Sequence, residues 1–174
     1  INMLKKLIAQ TGLETERLSL EWVSAAEGER FAQIVKDFTD KIRALGPSPL
    51  SGGKPHVNLL EGMLAAKVAA EGFRLRVLVG RERKLVEEEN AYGEKVDQGK
   101  FDETMDESIK TEYTRNRIFL LLRKQPMSVK DLSASLGLDP GKILRHIVVM
   151  RRRGLVAVDR VEKGSLLYLA LEMR

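Results

Sequence analysis

The sequence predicts an α+β protein that is mostly helical, with an α/β tail segment at the start, a helical middle, and a C-terminal module of helices followed by a β-hairpin. Three observations support this fold class. Apolar residues recur at helical spacing over most of the chain, a Gly- and Pro-rich stretch interrupts it at 46–55, and the last third carries helix-capping residues ahead of two stretches with strand periodicity. We therefore expect a helix-strand-helix over 1–45, a linker over 46–55, a helical connector over 56–108 and the C-terminal module over 109–174.

Composition restricts the chemistry available to the chain. The 174 residues contain no cysteine and two histidines, His56 and His146. Disulfides, thiolate zinc sites and cysteine-bound iron–sulfur clusters are thereby excluded from this sequence. The acidic run Glu87 to Glu89 is typical of a solvated helix face rather than of paired general acids. We predict no catalytic, cofactor-binding or metal-ligating residue in this chain.

The positive charge is concentrated at the C-terminal end. Residues 1–50 carry 7 basic and 7 acidic residues and 51–110 carry 10 and 12, whereas 111–174 carry 13 and 6, a net charge of +7. This asymmetry indicates a polyanion or an acidic partner for the last third. No apolar run approaches the roughly 20 residues that span a bilayer, and the start lacks a signal-peptide pattern. We expect a cytoplasmic protein with no membrane partner.

The first part is predicted to form helix, strand and helix. Gly12 ends the first helix, residues 18–24 alternate between apolar and polar as a strand does, and Ser24 with Glu27 forms a capping box for the second helix. The stripe expected to be buried on that second helix consists of Phe31, Ile34, Val35 and Phe38. Because a lone strand leaves its edges unpaired, this piece is expected to belong to a larger α/β unit or to pair with another chain.

The middle is predicted to be helical. Residues 56–72 are rich in alanine, which suits close helix packing, and carry three larger apolar residues on one face: Leu60, Leu64 and Val68. Residues 73–79 alternate like a strand but continue into a strongly helical stretch, so a helix is favoured. After a polar loop over 90–100, a long helix is expected over 101–124. Its apolar face shifts in phase near residue 114, which indicates that the two halves pack against different neighbours.

The last third has the element order of a winged helix-turn-helix. Ser128 and Asp131 form a capping box at the start of a short helix, and Gly137 supplies the turn. Asp139 caps the next helix, and Pro140 occupies its first position, where a missing N–H costs nothing.

The elements that follow this helix complete the pattern. Gly154 is expected just beyond the helix end. Two strands, over 156–160 and 166–171, enclose the Glu162-Lys163-Gly164 wing. Helix, short helix, turn, helix and hairpin at these lengths predict a winged helix.

The second capped helix of this module has a basic face. A helical wheel predicts five residues on the core side: Ile143, Leu144, Ile147, Val148 and Met150. The residues predicted to contact a partner or DNA, including those of the wing, are Lys142, Arg145, Val149, Arg152, Arg153, Arg160 and Lys163. In a DNA-binding domain this face would enter the major groove, with its arginines at guanine or phosphate.

The same residues are consistent with two functions. Val149 fits a protein interface as well as it fits a thymine methyl group, and the face has no Asn or Gln to bind adenine. A basic helix end is also the arrangement that the helix dipole favours in a solvated helix. A protein-docking module and a DNA-binding module both remain open on these residues.

The first fifty residues resemble a known family. They read Leu4-Lys-Lys-Leu-Ile8, then Gly12-Leu-Glu-Thr-Glu-Arg-Leu-Ser-Leu-Glu-Trp-Val-Ser-Ala-Ala-Glu-Gly-Glu-Arg-Phe31, and end with Ile42-Arg-Ala-Leu-Gly-Pro47. This stretch, most specific over Arg17–Glu27, resembles the C-terminal end of the iron–sulfur (delta) subunit of methyl-viologen-reducing hydrogenase. The resemblance covers about 45 residues, a quarter of the chain.

The resemblance implies a place in an electron-transfer assembly. That subunit passes electrons from a hydrogenase, or from a formate- or NADH-oxidising partner, to a heterodisulfide-reductase-type flavoprotein. Its iron–sulfur cluster is held by cysteines upstream of the part matched here, so no cluster ligand transfers to a position of this sequence. We accordingly expect a C-terminal piece of a longer protein, or a subunit whose cluster-binding half lies elsewhere.

Two functional hypotheses follow. The first is a non-catalytic docking or scaffold portion of such a subunit, within an oxidoreductase complex whose other subunits are its partners. The second is a winged-helix transcription regulator that binds duplex DNA as a homodimer.

Overall fold

The computed structural model describes residues 1–51 and 57–171. The described chain forms two compact units, Ile1–Ile109 and Lys110–Arg174. Besides a 3-10 turn at Thr15–Arg17, its elements are α1 (Asn2–Thr11), α2 (Gly28–Leu45), α3 (Val57–Glu71), α4 (Phe73–Glu87), α5 (Gln98–Lys124), β1 (Met127–Ser128), α6 (Val129–Leu136), α7 (Pro140–Arg152), β2 (Val156–Glu162) and β3 (Ser165–Ala170). Helices dominate and the one described sheet has three strands, which confirms the predicted fold class.

The first unit is built where α1 packs on α3. α3 turns its small side inwards, with Gly62, Ala65, Ala66 and Ala69 buried. Its larger apolar residues lie on the other side and are exposed: Val57, Leu60, Leu64 and Val68. The alanine-rich composition therefore serves close helix packing, as expected, and leaves an apolar face towards solvent.

The long helix α5 is continuous from Gln98 to Lys124. Its first half contributes Phe101, Met105 and Ile109 to the buried residues of the first unit. Asp106 on the same half forms an ion pair with Lys6 of α1, with 2.6 Å between Nζ and Oδ1. The second half supplies buried residues of the second unit, so the phase shift in the sequence marks a change of neighbours without a break in the helix.

The predicted strand over 18–24 is wrong. After the 3-10 turn the chain runs without regular secondary structure from Leu18 to Ser24. A strand exists only as part of a hydrogen-bonded ladder, and the described sheet, which belongs to the second unit, does not include this segment. Apolar and polar residues do alternate over this segment, but no other described segment forms backbone hydrogen bonds with it.

The prediction that α2 buries its apolar stripe is also wrong. None of its described residues is buried, and Phe31 and Val35 are exposed while Ile34 and Phe38 are half-buried. Within the described chain the helix packs mainly on the 3-10 turn. An amphipathic pattern predicts that one face of a helix packs against an apolar neighbour. No described element packs against the apolar face of α2 closely enough to bury it.

Part of the predicted linker is described. Residues 46–51 form turns, with the Ser51 N–H donating to the Ser48 carbonyl at 2.8 Å. Residues 52–55 of the linker, and His56, lie outside the described residues.

The second unit is a winged helix-turn-helix, as predicted. Ser128 caps α6 through a capping box with Asp131, and Gly137 follows α6 in the left-handed conformation. Asp139 caps α7 by accepting from the Lys142 N–H at 3.0 Å, with Pro140 as its first residue.

A Schellman motif ends α7. Gly154 has φ +69°, which favours glycine. Its N–H donates to the Arg151 carbonyl, and the Leu155 N–H donates to the Met150 carbonyl at 3.0 Å. The chain thereby turns directly into β2.

A small antiparallel sheet of order β1-β3-β2 completes this unit. β2 and β3 pair from Val156↔Ala170 to Glu162↔Ser165. They are joined by Lys163 and Gly164, both at positive φ, as a type I′ hairpin requires. The sheet and helices enclose one apolar cluster: Ile118, Leu122, Met127, Leu132, Ile143, Ile147, Met150, Val156 and Tyr168.

Ile147 tests whether α7 is held by this cluster. The Ile147→Ala substitution removes a fully buried side chain, so we expect a loss of about 2–5 kcal/mol in the free energy of unfolding of the second unit. Urea denaturation followed by circular dichroism measures it. Leu144→Ala, an exposed position on the same helix, is the control and should change stability by much less. Equal losses for the two variants would contradict the described rotation of α7.

Candidate docking surfaces

The exposed face of α7 has a different centre from the predicted one. The three buried side chains of α7 fix its rotation so that the opposite side centres on Arg145 and Arg152. Val149, predicted at the centre, is half-buried at the edge of this face. Leu144, predicted in the core, is exposed. The face is therefore basic, as predicted, but arginines lie at its centre and the exposed aliphatic residues Leu144 and Val148 lie to one side.

The prediction that Leu144 and Val148 belong to the core is wrong for a geometric reason. The fully buried positions of α7 are Ile143, Ile147 and Met150, a narrow stripe at spacings of four and three. Residues 144 and 148 each lie 100° from the preceding member of that stripe. A wheel centred on this stripe, rather than on all five apolar residues, would have predicted both as exposed.

An apolar depression of about 380 Å³ lies between the start of α6, the start of α7 and β3. Its lining includes the apolar side chains of Val129, Pro140, Leu144 and Leu166 and the cation Lys130. Leu144 and Leu166 are both exposed. Neither Leu166 nor Lys130 was predicted at the site. Leu166 lies on β3 and Lys130 on α6, and only folding brings these two elements beside the start of α7.

We name the combined region the α7–β3 surface. It comprises Leu144, Val148 and Leu166, together with the basic residues Lys130, Arg145, Arg151 and Arg152. Val148, Arg151 and Arg152 line a second shallow depression. The surface thus combines exposed aliphatic side chains with several cations.

Apart from the half-buried Val149, the predicted contact residues outside this surface are exposed as well. Lys142, Arg153, Arg160 and Lys163 all face solvent. Arg160, however, is paired within the wing: its guanidinium bonds to Asp159 and, at 3.2 Å, to Glu162. These two carboxylates raise the pKa of Arg160 and neutralise its charge locally.

His146 lies between charged groups of α5 and α7. Burial is the main cause that lowers the pKa of its imidazole, and the nearby guanidinium groups of Arg115 and Arg145 lower it further. Glu112 opposes them. Because burial and both cations favour the neutral form, protonation of His146 works against the folded state.

In the first unit, Arg17 joins two points far apart in sequence. Its guanidinium donates to the carbonyls of Gly46 at 3.0 Å and of Leu45 and Pro47 at 3.4 Å. It also bonds to Glu14, with 2.9 Å from Nε to Oε2, and this bond lowers the pKa of the Glu14 carboxyl. Arg17 therefore holds together both ends of residues 18–44, which we call the N-terminal arm.

Along the arm, exposed apolar residues are concentrated. Leu20 and Trp22 lie on the segment 18–24, which has no regular secondary structure, and Phe31 and Val35 lie on α2. Neither this segment nor α2 has an apolar neighbour among the described residues sufficient to bury them.

The donor groups do not fit an iron–sulfur cluster. The chain has no cysteine, and the described residues contain no group of three or more His, Asp or Glu arranged to hold a metal ion. In the part of the chain that the structure describes, no helix combines the length and apolarity needed to cross a membrane.

Two family models match separate parts of the chain. Residues 1–46 match the family described as methyl-viologen-reducing hydrogenase, delta subunit, which confirms the resemblance seen in the sequence. Residues 113–158 match the family described as bacterial regulatory protein, arsR family, in agreement with the winged helix. No solved structure gives a significant match.

The curated relatives match the N-terminal segment. It is 47% identical over 45 residues to an F420-non-reducing hydrogenase iron–sulfur subunit of Archaeoglobus profundus, covering 26% of this chain and 33% of that protein. The corresponding vhc iron–sulfur subunit of Methanococcus voltae is 44% identical over 50 residues, covering 29% and 35%. A ferredoxin:CoB-CoM heterodisulfide reductase subunit of Methanosarcina mazei is 40% identical over 47 residues, covering 27% and 6%. The chain thus spans about a third of these hydrogenase subunits and a small fraction of the reductase subunit.

Arg17 offers a test of how the arm is held. Arg17→Lys keeps the charge but loses the planar fork that reaches several oxygens at once, so we expect a lower melting temperature of the first unit and faster limited proteolysis within 18–44. Arg43→Lys is the control, because Arg43 makes an exposed ion pair with Asp40 at 3.3 Å and such pairs contribute little. Equal behaviour of the two variants would contradict the role of Arg17.

His146 predicts a pH dependence of the second unit. The unfolded chain takes up a proton near pH 6.5, whereas the folded imidazole has a lowered pKa. Stability is therefore complete above about pH 6.5 and falls as the pH decreases towards the folded pKa. Urea midpoints at pH 7.5 and 5.0 measure the effect, which should be smaller in His146→Gln. The same pH dependence in both proteins would exclude His146 as its source.

Proposed function

We propose that this chain is a non-catalytic docking portion of an iron–sulfur electron-transfer subunit. In this proposal it links a hydrogenase, or a formate- or NADH-oxidising module, to a heterodisulfide-reductase-type complex. The observation that carries the proposal is that residues 1–46 match the delta-subunit family, and that the curated relatives of the chain include proteins named as hydrogenase iron–sulfur subunits and as heterodisulfide reductase subunits.

The N-terminal arm supports a docking role. Its exposed apolar residues, Trp22 and Phe31 among them, are of the kind that concentrate at the centres of protein interfaces. Isolated exposed apolar residues require no explanation, but several on one short segment are typical of an interaction site.

The α7–β3 surface supports protein docking for the winged helix as well. Leu144, Val148 and Leu166 are exposed in or beside its depressions, and arginines accompany them. Protein interfaces are enriched in arginine around an apolar centre. The chemistry fits a partner with an apolar projection bordered by acidic side chains.

In this proposal the iron–sulfur cluster is bound outside the residues of this chain, because the sequence has no cysteine. The chain's own residues would hold subunits in register and would not carry electrons. Its contribution to electron transfer would therefore be structural.

The proposal is tested by purifying the affinity-tagged full chain from the cells that produce it. We expect mass spectrometry to identify hydrogenase-type and heterodisulfide-reductase-type subunits, accompanied by iron and flavin. Val148→Asp places a charge on the α7–β3 surface and should reduce their recovery, whereas Lys95→Ala, an exposed substitution in the other unit, should not. If the wild-type chain is recovered alone, without iron or flavin, the proposal is wrong.

DNA binding is the second candidate, because residues 113–158 match a family of regulatory proteins and α7 is basic. It requires duplex DNA affinity that falls steeply with salt, by a slope of about −0.9 per phosphate contact in a log–log plot. Arg145→Ala and Arg152→Ala should reduce that slope, whereas Val148→Ala, which leaves the charge of the face unchanged, should not. The two candidates thus differ in whether replacing the aliphatic residues or replacing the basic residues weakens binding more.

A further inference from the structure

We infer that the depression between α6, α7 and β3 binds an aliphatic side chain and a neighbouring carboxylate, both supplied by one segment of the docking partner. This inference rests on the proposed function and specifies what the partner presents to the winged helix. Three features of the depression carry it: a nearly buried hydroxyl without a partner, an ammonium group without an ion pair, and apolar walls.

The hydroxyl belongs to Tyr168, which lines the depression and is only 4% exposed. Among the described residues no hydrogen bond reaches this hydroxyl, although buried phenols usually have a partner. It is not one of the polar atoms that the described chain encloses completely without a partner, so it retains contact with solvent. Because the depression is the cavity that Tyr168 lines, the hydroxyl opens into it and can donate to a ligand.

The structure holds this hydroxyl in place. The ring of Tyr168 belongs to the apolar cluster of the second unit. Its backbone is fixed on both sides, since β3 pairs at Tyr168 with Met127 of β1 and with Val158 of β2. A donor that is already fixed loses little conformational entropy when a ligand binds.

Lys130 supplies a cation at the same depression. The adjacent carboxylate of Asp131 is engaged elsewhere, because it accepts from the Ser128 hydroxyl at 2.7 Å and from the Ser128 N–H at 3.0 Å. Lys130 forms no ion pair with a described residue. Hydrogen bonds and ion pairs to a charged acceptor are stronger than those to a neutral one, so an ammonium and an O–H donor at one depression favour a carboxylate.

The walls of the depression require an apolar group beside that carboxylate. Val129, Pro140, Leu144 and Leu166 line the volume of about 380 Å³. Leu144 is 46% and Leu166 is 45% exposed, and covering aliphatic surface of this kind is favourable. The ligand chemistry is therefore an aliphatic group joined to a carboxylate.

The openness of the depression favours a polypeptide as the source of both groups. Sites for small molecules enclose most of the ligand, whereas the half-exposed Leu144 and Leu166 leave this one open on one side. Val148, one helical turn after Leu144, continues the surface into a second depression that it lines with Arg151 and Arg152. A partner segment that fills the first depression can therefore extend along α7.

The charge of the last third favours an acidic segment. Residues 111–174 carry a net charge of +7, which attracts an acidic partner and repels the same part of a second copy. DNA would offer phosphates to Lys130, but its apolar group in the major groove is the thymine methyl. An acidic protein segment satisfies the hydroxyl, the ammonium and the apolar walls together.

The first experiment tests the ligand chemistry on the full chain. The probe is N-acetyl-leucine, which joins an aliphatic side chain to a carboxylate, and N-acetyl-leucinamide is the matched probe without the charge. Binding is followed by NMR of the Leu144 and Leu166 methyl groups in chain labelled at leucine. We expect N-acetyl-leucine to shift these methyl signals with an affinity on the order of millimolar, as a ligand of this size allows, and the amide to bind more weakly.

Tyr168→Phe removes only the hydroxyl, and Lys130→Gln removes the charge. Each should weaken N-acetyl-leucine binding on the order of tenfold, as expected for a hydrogen bond or ion pair to a charged group. The melting temperature should stay close to that of wild-type. The matched controls in the first unit are Tyr92→Phe, at a position that is 88% exposed, and Lys95→Gln, which should both leave binding unchanged.

The second experiment tests the partner with the same four variants in the affinity-tagged full chain. The hydrogenase-type and heterodisulfide-reductase-type subunits recovered with each variant are quantified by mass spectrometry. We expect Tyr168→Phe and Lys130→Gln to recover less of these subunits than wild-type, and the two controls to recover as much.

The outcomes separate this inference from the proposed function. If the wild-type chain recovers these subunits but N-acetyl-leucine binds no better than its amide, the inference is wrong and the proposed function stands. Unchanged recovery with Tyr168→Phe and Lys130→Gln would overturn it as well, because the depression would then take a ligand other than the partner. Inorganic phosphate or duplex DNA shifting the same methyl signals as strongly as N-acetyl-leucine would also contradict it. If the wild-type chain recovers none of these subunits, both fail.

Discussion

The N-terminal arm depends on the side chain of Arg17. α2 buries none of its own described residues, so the apolar packing that holds most helices in place contributes little to it. Arg17 instead bonds to Glu14 at one end of the arm and to the carbonyls of residues 45–47 at the other. An anchor of this kind fixes where the arm begins and ends but leaves its apolar face without a neighbour. The proposed docking role would cover this face, which has no neighbour among the described residues.

The second unit is stabilised differently. Its helices and sheet enclose an apolar cluster that includes Ile118, Leu132, Ile147 and Tyr168, and caps satisfy the ends of α6 and α7. Its free surface, by contrast, presents aliphatic side chains among arginines. Each unit therefore presents apolar groups to solvent. In the first unit they lie on the N-terminal arm, whose helix α2 has no buried described residue. In the second unit they lie on the outside of a domain that has its own apolar cluster.

The sequence predicted best the elements that depend on local chemistry. The capping box of α6, the N-cap of α7 and the glycines of the winged helix act within a few residues, so Ser128, Gly137 and Asp139 could be assigned roles without knowledge of the fold. The capping box predicted at Ser24 and Glu27 was wrong, because α2 begins at Gly28 and Glu27 is its N-cap. Predictions that depended on distant neighbours were less accurate. The alternation at 18–24 showed a strand-forming pattern, yet a strand requires a second chain segment, which periodicity does not reveal. Leu166 joined Leu144 at the surface only because β3 folds back beside α7.

The α7–β3 surface also shows how a small rotation changes a functional interpretation. With Val149 at the centre, the face of α7 fitted DNA and protein equally well. With Val148 and Leu144 exposed and Val149 half-buried, the aliphatic area lies beside the depression lined by β3. That arrangement favours docking to protein, although the basic residues on which DNA binding would depend are present on the same helix.

Cryo-electron microscopy of the complex purified with the full chain tests the central claim most directly. The account predicts that Trp22 and Phe31 are covered by protein and that Val148 contacts another protein of the complex. A complex in which the arm remains exposed to solvent, or particles in which α7 lies in the major groove of DNA, would contradict it.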